Sequence, residues 1–275
     1  MQPDFALLRE LVATVPGIAV EAGRGKTADA IRAAESVVGP LCPAYRWWLA
    51  EYGEGSLHRA GVGTVAPLHG IGAIDVVDGW DGGDRLWFHR AGDGGDTYGF
   101  ALGSGDGPEL PVVRRDHFTG EEERYADSFA GFLTVWTALA LGLKDGPNPS
   151  VARLWRTTPG AVLPDGTVVY GPGLLKDRNE AYETRRRAPH WVLVGDDGRG
   201  TGLFMRRHGR DRTSVYRLPA DDAANDIGER GDFVTDDLYG WIRAAREPSR
   251  LPAGEIRPTP PDGSPPSPEN PNKSS

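Results

Sequence analysis

The sequence of 275 residues contains one cysteine and no long hydrophobic run. A single cysteine cannot form a disulfide within the chain, which favours a reducing compartment. No stretch approaches the about 20 apolar residues that span a bilayer, and residues 1–15 lack the basic start and the cleavage site of a secretory signal. We therefore expect a cytoplasmic protein that does not contact a membrane.

The patterns that identify common catalytic sites are also missing. There is no Ser-His-Asp arrangement, Walker loop or dinucleotide fingerprint, and the six histidines show no metal-ligand spacing. Cys42 can be read as a nucleophile with His58 or His69 as its base, or as a packed thiol. Its neighbours Leu41 and Pro43 favour the packed thiol. We expect no catalytic residue, no metal and no cofactor.

Charge is distributed unevenly along the chain. Residues 1–149 carry 12 Lys and Arg against 21 Asp and Glu, a net charge of −9, whereas residues 150–245 carry 15 against 14. An acidic surface repels nucleic acid and attracts basic proteins. The sequence therefore predicts a basic protein partner and no nucleic acid, and it assigns no oligomeric state.

Two stretches of the chain share one pattern. Residues 191–206 read as a β-hairpin with a Gly/Asp turn, and residues 87–100 read the same way. A constant shift of 104 pairs Trp87 with Trp191 and Gly94 with Gly198. Each hairpin is followed by an apolar pair and then by a helix that starts with acidic or hydroxyl residues. A duplicated module explains this order; two unrelated hairpins are the alternative.

The elements around the hairpins predict an α+β fold with helices packed on a mainly antiparallel sheet, in two related modules. Thr27 can cap a helix that ends at Gly39, and Pro43 can start the next one. Clustered short strand candidates then follow, rather than strands that alternate with long helices.

Domain boundaries follow from turn residues and proline content. The first module spans residues 1–145, with its motif core at about 28–139, and Gly146 to Ser150 reads as a linker. Residues 150–246 form a second, partial module without a two-helix corner. Residues 247–275 are rich in proline, and we expect a disordered tail.

The first module resembles the SUKH superfamily of bacterial immunity-type proteins. The resemblance runs from about Ala28 to Leu139, through a leucine-proline corner, a tyrosine helix, a Gly/Asp hairpin and a closing aromatic helix. The second module is similar at its hairpin and its closing helix. The residues that carry the structural motif are Leu41, Pro43, Tyr45, Gly53, Trp87, Gly94, Trp191, Asp197 and Gly198.

The resemblance implies a non-catalytic protein that binds and neutralises a cognate toxin, often a nuclease or another nucleic-acid-modifying enzyme of a polymorphic toxin system. Regulatory and scaffold proteins of the family leave a second function open. A metal-dependent hydrolase that uses Asp196 and Asp197 is a further alternative, although Gly and Asp in a hairpin turn need no ligand.

Two surfaces are candidates for binding. Asp75, Asp78, Asp81 and Asp84 surround Trp80, which either packs in the core or anchors a basic partner. A basic cluster is open to three interpretations: a nucleic-acid site, a solvated face, or a surface that docks on the acidic first module. Its members are Arg185, Arg186, Arg187, Arg199, Arg206, Arg207, Arg210 and Arg212.

Overall fold

The structure is a computed structural model that describes residues 4–14, 18–20, 25–53, 55–59, 62–68, 83–91, 95–103 and 107–247. Within these residues the chain forms nine α-helices, one 3₁₀-helix and thirteen strands in two antiparallel sheets. The predicted α+β class is confirmed. The predicted tail, apart from Glu247, lies outside the described residues.

The first sheet contains seven strands in the order β1-β2-β3-β4-β5-β6-β7, so that consecutive strands are neighbours. Three helices precede or interrupt its first strands, and a fourth follows its last strand. The elements are α1 (Phe5–Thr14), β1 (Ile18–Val20), α2 (Ala28–Val38), α3 (Pro43–Glu51), β2 (Gly55–Arg59), β3 (Val62–Leu68), β4 (Arg85–Arg90), β5 (Thr97–Ala101), β6 (Val112–Arg115), β7 (Glu122–Ala126) and α4 (Phe129–Ala140).

The second sheet contains six strands, again with consecutive strands as neighbours. Its elements are α5 (Pro149–Trp155), β8 (Ala161–Val162), β9 (Val168–Val169), α6 (Pro172–Ala181), α7 (Thr184–Arg187), β10 (Trp191–Asp196), β11 (Thr201–Arg206), β12 (Val215–Pro219), η1 (Ala220–Asp222), α8 (Ile227–Arg230), β13 (Asp232–Thr235) and α9 (Leu238–Arg246). Helices α6 and α7 pack on β10, so the second half has a helix pair that the sequence did not predict.

The helical corner forms as predicted. The Thr27 hydroxyl accepts a hydrogen bond from the Ala30 amide at 3.2 Å, and Gly39 ends α2 with φ of 86°. The Glu35 carboxylate then accepts from the Leu41 amide at 3.1 Å and pairs with Arg46 at 2.6 Å. These bonds fix the turn between α2 and α3.

Aromatic side chains from four elements build the first core. Tyr45 of α3 lies with its ring centroid 5.9 Å from Phe88, 5.0 Å from Phe100 and 5.1 Å from Phe129. All four are buried, and each contributes about 1.5–3 kcal/mol by leaving water. Cys42 is buried beside them, and burial raises the pKa of its thiol, as does the nearby Glu109 carboxylate. The packed-thiol interpretation matches this position.

Helix α4 contacts strands of the first sheet and helices α5 and α6 of the second half. Its residues Phe129–Ala138 are all buried, with Phe132 and Trp136 in the first core and Ala138 in the second. The backbone before it meets the segment after α5: the Asp127 amide donates to the Arg156 carbonyl at 2.8 Å. One helix therefore serves both cores.

The stretch predicted as a linker, Gly146 to Ser150, contains the start of α5. Asn148 is buried and its side chain accepts from the Val151 amide at 3.0 Å, which makes it the N-cap of α5. Its amide nitrogen also donates to the Arg206 carbonyl at 3.2 Å. Proline at the first helical position and asparagine at the cap are features of a helix start as well as of a loop.

Candidate functional site

The predicted recognition loop falls mostly outside the described residues. Asp75, Asp78, Trp80 and Asp81 belong to that undescribed stretch, so neither alternative for Trp80 is decided. Asp84 is described: its carboxylate is exposed and pairs with Arg85 at 2.8 Å. Asp84 therefore gives a structural link from the described end of this loop to the rest of the sheet.

That link leads to the hairpin formed by β6 and β7. Arg85 Nε donates to the Glu122 carboxylate at 2.8 Å, and Arg115 pairs with the same carboxylate at 2.7 Å. The Arg115 guanidinium also lies 4.1 Å from the centroid of the Trp87 ring. Asp84 and the start of β7 are thus joined through two arginines that share Glu122.

Residues 116–121, which we call the Phe118 turn, connect β6 to β7. The Asp116 carboxylate accepts hydrogen bonds from the backbone amides of Phe118 at 2.9 Å and Thr119 at 2.8 Å. Those bonds lower the pKa of Asp116. Gly120 has φ of 69°, a conformation that glycine adopts without strain. The turn is therefore held in one conformation by its own sequence.

A neighbouring loop holds the turn from the side. Asp96 accepts from the His117 amide at 3.2 Å and contacts the His117 ring nitrogen Nδ1 at 2.9 Å. The rings of His117 and Phe118 lie 3.9 Å apart. His117 therefore supports one side of the Phe118 ring.

Phe118 itself faces solvent. Its side chain is 86% exposed, more than the other large hydrophobic residues found exposed in the described part of the chain. An aromatic side chain on a preorganised turn is suited to anchor a partner, because little conformational entropy is lost on binding. The sequence prediction missed this site, although Asp116 and Gly120 at the ends of a short polar stretch are a turn signal.

Acidic residues are close to Phe118 in the sequence. Asp116, Glu121, Glu122 and Glu123 lie in the turn and at the start of β7. Glu123 pairs with Arg114 at 2.8 Å and Glu122 with the two arginines above, whereas Glu121 has no cationic partner within the described residues. The turn thus presents an aromatic side chain in a setting of excess negative charge.

A cleft of about 380 Å³ opens beside the same hairpin. The residues that line it include Tyr98 and Tyr125 from the sheet and Trp136 from α4, with Arg114 and Arg156 at its polar wall. Pockets of a few hundred Å³ accommodate partner side chains and small ligands. The exposed turn and a concave surface therefore lie on the same hairpin.

The predicted structural-motif residues occupy different settings. Leu41 and Tyr45 are buried at the helical corner, Pro43 opens α3, and Gly53 follows α3 with φ of 69°. Gly94 lies outside the described residues. Trp87 is half-buried, whereas Trp191 is fully buried and its Nε1 donates to the Asn225 carbonyl at 3.2 Å.

The Gly/Asp turn after β10 matches the structural interpretation. Asp197 accepts from the amides of Arg199 at 2.8 Å and Thr201 at 3.0 Å, and Gly198 has φ of 69°. Asp196 is bonded to the Tyr170 hydroxyl. Both carboxylates are thus engaged by the protein's own groups. In the described part of the chain, no three His, Cys, Asp or Glu side chains are grouped so that they can hold a metal ion.

None of the helices in the described ranges is long and apolar enough to cross a membrane. No protein-family model matches the chain, and no curated protein matches it either. The function of this chain is therefore inferred from its own residues.

Proposed function

We propose that this chain is a binding protein that neutralises a basic partner protein by occupying its surface, without catalysis of its own. The main support for this proposal is Phe118. Its side chain is 86% exposed, and it lies on an acidic turn that hydrogen bonds hold in place. A rigid aromatic anchor supplies affinity, and the surrounding carboxylates speed the encounter with a basic surface.

The sequence supports a specific form of this proposal. The resemblance of residues 28–139 to the SUKH superfamily favours an immunity-type protein whose partner is a toxin, with a nuclease as the favoured class. A nuclease surface that binds phosphates is basic, and residues 1–149 carry a net charge of −9. The proposed contact therefore covers the surface with which such a toxin binds its substrate.

The test begins with the full chain as bait in cells that naturally produce it. A recovered protein is then purified, and its affinity and its own activity are measured with wild-type chain and with Phe118→Ala. We expect the substitution to weaken binding by about 2 kcal/mol, roughly 30-fold. Melting temperature should barely change, because Phe118 is exposed.

Two further variants make the result specific. Phe233→Ala removes a phenylalanine that is 60% exposed on the second sheet, and it should bind like wild type. Trp80→Ala tests the loop predicted from sequence. A partner that binds Phe118→Ala as tightly as wild type, or that stays active when bound, would refute the proposal.

A further inference from the structure

Many arginines in both halves of the chain pair with a carboxylate, but a group of arginines near the β10–β11 hairpin does not. In the first half, a group of arginines each pairs with a carboxylate; its members are Arg9, Arg32, Arg46, Arg85, Arg114, Arg115 and Arg124. In the cluster that the sequence singles out, Arg186 pairs with Glu183 and Arg187 donates to the Asp221 carbonyl. Six others have no carboxylate partner among the described residues: Arg185, Arg199, Arg206, Arg207, Arg210 and Arg212.

Five of these six arginines lie at one end of the second sheet. Arg206 ends β11 opposite Trp191, the first residue of β10, and the Arg207 amide donates to the His190 carbonyl at 2.8 Å. Helix α7 ends just before β10 and packs on it. The connection from β11 to β12 starts at the same place. We call Arg185, Arg206, Arg207, Arg210 and Arg212 the basic end.

Arg199 is the exception. It lies in the turn after β10, at the far end of the hairpin, about 17–20 Å away for strands of this length. Five residues of the cluster are therefore close to one end of the hairpin. Arg199 has the same chemistry in a different place, which makes it a matched control.

The basic end is partly preorganised. Arg207 Nε donates to the Trp191 carbonyl at 2.9 Å, and the Arg206 guanidinium lies 4.7 Å from the centroid of the Trp191 ring. Burial and the nearby Arg185 lower the pKa of Arg207. Several guanidinium groups are thus held close to one another, and Arg206 and Arg207 are half-buried. An acidic ligand would stabilise these like charges.

We propose that the basic end binds the Phe118 turn of a second copy of this chain. The turn has the complementary chemistry: Glu121 is unpaired within the described residues, and an exposed phenylalanine ring can accept a guanidinium over its face. Within one chain, no described ion pair joins the basic end to an acid of the first half. The attraction is therefore available between chains.

A second copy fits better than a nucleic acid. The chain carries a net charge of −8, which repels a phosphate backbone and a second copy alike at long range, so the choice between them depends on the local contact. A second copy presents the same acidic half as the attracting surface. The contact buries few apolar side chains, so we expect weak self-association that salt disrupts.

This association does not require the proposed function, but it shares the Phe118 turn with it. A partner bound at the turn should displace the second copy. Failure of either idea can be recognised separately, because self-association is measured with the purified chain alone and neutralisation with the recovered partner.

The experiment uses sedimentation velocity on the full chain over a wide range of concentrations at low and high salt. The basic-end variant is Arg185→Glu/Arg210→Glu/Arg212→Glu, in which all three side chains are exposed and make no described bond. The turn variant is Phe118→Ala/Glu121→Lys. Each should self-associate at least about tenfold more weakly than wild type, whereas Arg199→Glu should behave like wild type.

Mixing the two variants gives the sharpest result. The turn variant retains its basic end and the basic-end variant retains its turn, so an equal mixture should form a heterodimer and no larger species. Circular dichroism checks that each variant is folded. If the triple charge reversal does not fold, Arg185→Gln/Arg210→Gln/Arg212→Gln replaces it.

Several outcomes would overturn the proposal. Wild-type chain that remains monomeric at every concentration does so, as does a basic-end variant that associates like wild type or a mixture without heterodimer. Binding of a fluorescent single-stranded oligonucleotide that requires the basic end, without self-association, would assign this surface to nucleic acid instead.

Discussion

The two sheets of this protein have β-bulges in corresponding strands. In β4 an extra residue, Phe88, interrupts the pairing with β5, and in β10 the extra residue is Val194. The last strand of each run carries a second bulge, at Tyr125 in β7 and at Val234 in β13. Bulges are specific features of a strand rather than accidents, and their repetition favours the prediction of two related modules.

The helix that follows each bulged strand is capped in the same way. Ser128 accepts a hydrogen bond from the Gly131 amide, and Asp237 accepts one from the Gly240 amide. Each cap comes three residues after its bulge, at a shift of 109. The proposal of two related modules thus gains support from register and capping together.

The offset between the two hairpins in the structure differs from the offset in the sequence pattern. Val194 follows Phe88 by 106 positions, and Phe204 follows Gly99 by 105, whereas the sequence pattern gave a shift of 104. In β4 and β10 the difference is two residues, which keeps side chains on the same face but aligns Trp87 with Leu193 rather than with Trp191. Trp87 and Trp191 are therefore not equivalent: one is half-buried beside Arg115, and the other is fully buried.

The difference between the halves lies in what connects the matched strands. Between β6 and β7 the chain makes the Phe118 turn, which leaves its aromatic residue in solvent. Between β12 and β13 it makes η1 and α8, and Gly228 of α8 lies close to the Trp191 ring. The matched strands therefore carry different groups. In the first half they carry an exposed phenylalanine in an acidic turn, and in the second half a buried tryptophan beside arginines that have no described carboxylate partner.

The largest effect should come from separating the halves. Residues 150–247 alone lose α4, whose buried residues pack against α5 and α6, and lose the Ser128 hydroxyl that donates to the Thr157 carbonyl at 2.7 Å. We expect an unfolded fragment with poor dispersion in a proton NMR spectrum. Residues 127–247, which keep α4, should be better ordered. Good dispersion for residues 150–247 would show that the second half folds independently.

The two tryptophans should differ strongly in their contribution to stability. Trp191→Ala should cost about 3–5 kcal/mol, as for other buried aromatic residues. Trp87→Ala removes a half-buried ring and its contact with Arg115, and should cost about 1 kcal/mol. Urea denaturation of both variants measures the difference. Equal losses in the free energy of unfolding would support the pairing of Trp87 with Trp191 that the sequence pattern indicated.

Sequence reasoning identified elements whose signals are local. Thr27, Gly39 and Pro43 mark helix ends by their own chemistry, and the structure places helix ends at each of them. The sequence did not predict β7, because Glu122 and Glu123 are poor strand formers that pairing with β6 nonetheless holds in the sheet. The Phe118 turn was missed for a related reason, since exposure depends on what other elements leave uncovered.

A glycine lies three residues after the cap residue of both α4 and α9. A Cβ at Gly131 would lie 1.7 Å from the Arg156 carbonyl oxygen, which is backbone of the other half. Gly131→Ala should therefore destabilise the protein by about 2–3 kcal/mol. A Cβ at Gly240 would instead meet its own cap Asp237 at 2.2 Å. There the lost cap costs about 1 kcal/mol and alanine regains about 1 kcal/mol of helix propensity, so little net change is expected.

Thermal unfolding of the two glycine variants tests this contrast. A clear fall in the melting temperature for Gly131→Ala alone would mark the α4 junction as the close contact between the halves. Similar melting temperatures for both variants would mean that the backbone at Arg156 shifts easily.

The smallest effect should be seen in the two turns at low pH. Backbone hydrogen bonds lower the pKa of Asp116, chiefly from Thr119, and that of Asp197, chiefly from Arg199. A carboxylate whose pKa is lowered by folding stabilises its turn above the unfolded value of 3.8, and that contribution is lost as pH falls through the lower, folded value. Both turns should therefore remain ordered well below neutral pH and loosen together only in strong acid.

NMR titration of the backbone amides that each carboxylate holds measures this directly. The amides of Phe118 and Thr119 should shift with an apparent pKa below 3.8, as should those of Arg199 and Thr201. Asp116→Asn should abolish the titration in the first turn and leave the second unchanged, because the two turns belong to different sheets. If the Phe118 amide titrates at or above the ordinary value, Asp116 does not hold the turn, and the preorganisation on which the proposed binding site depends is absent.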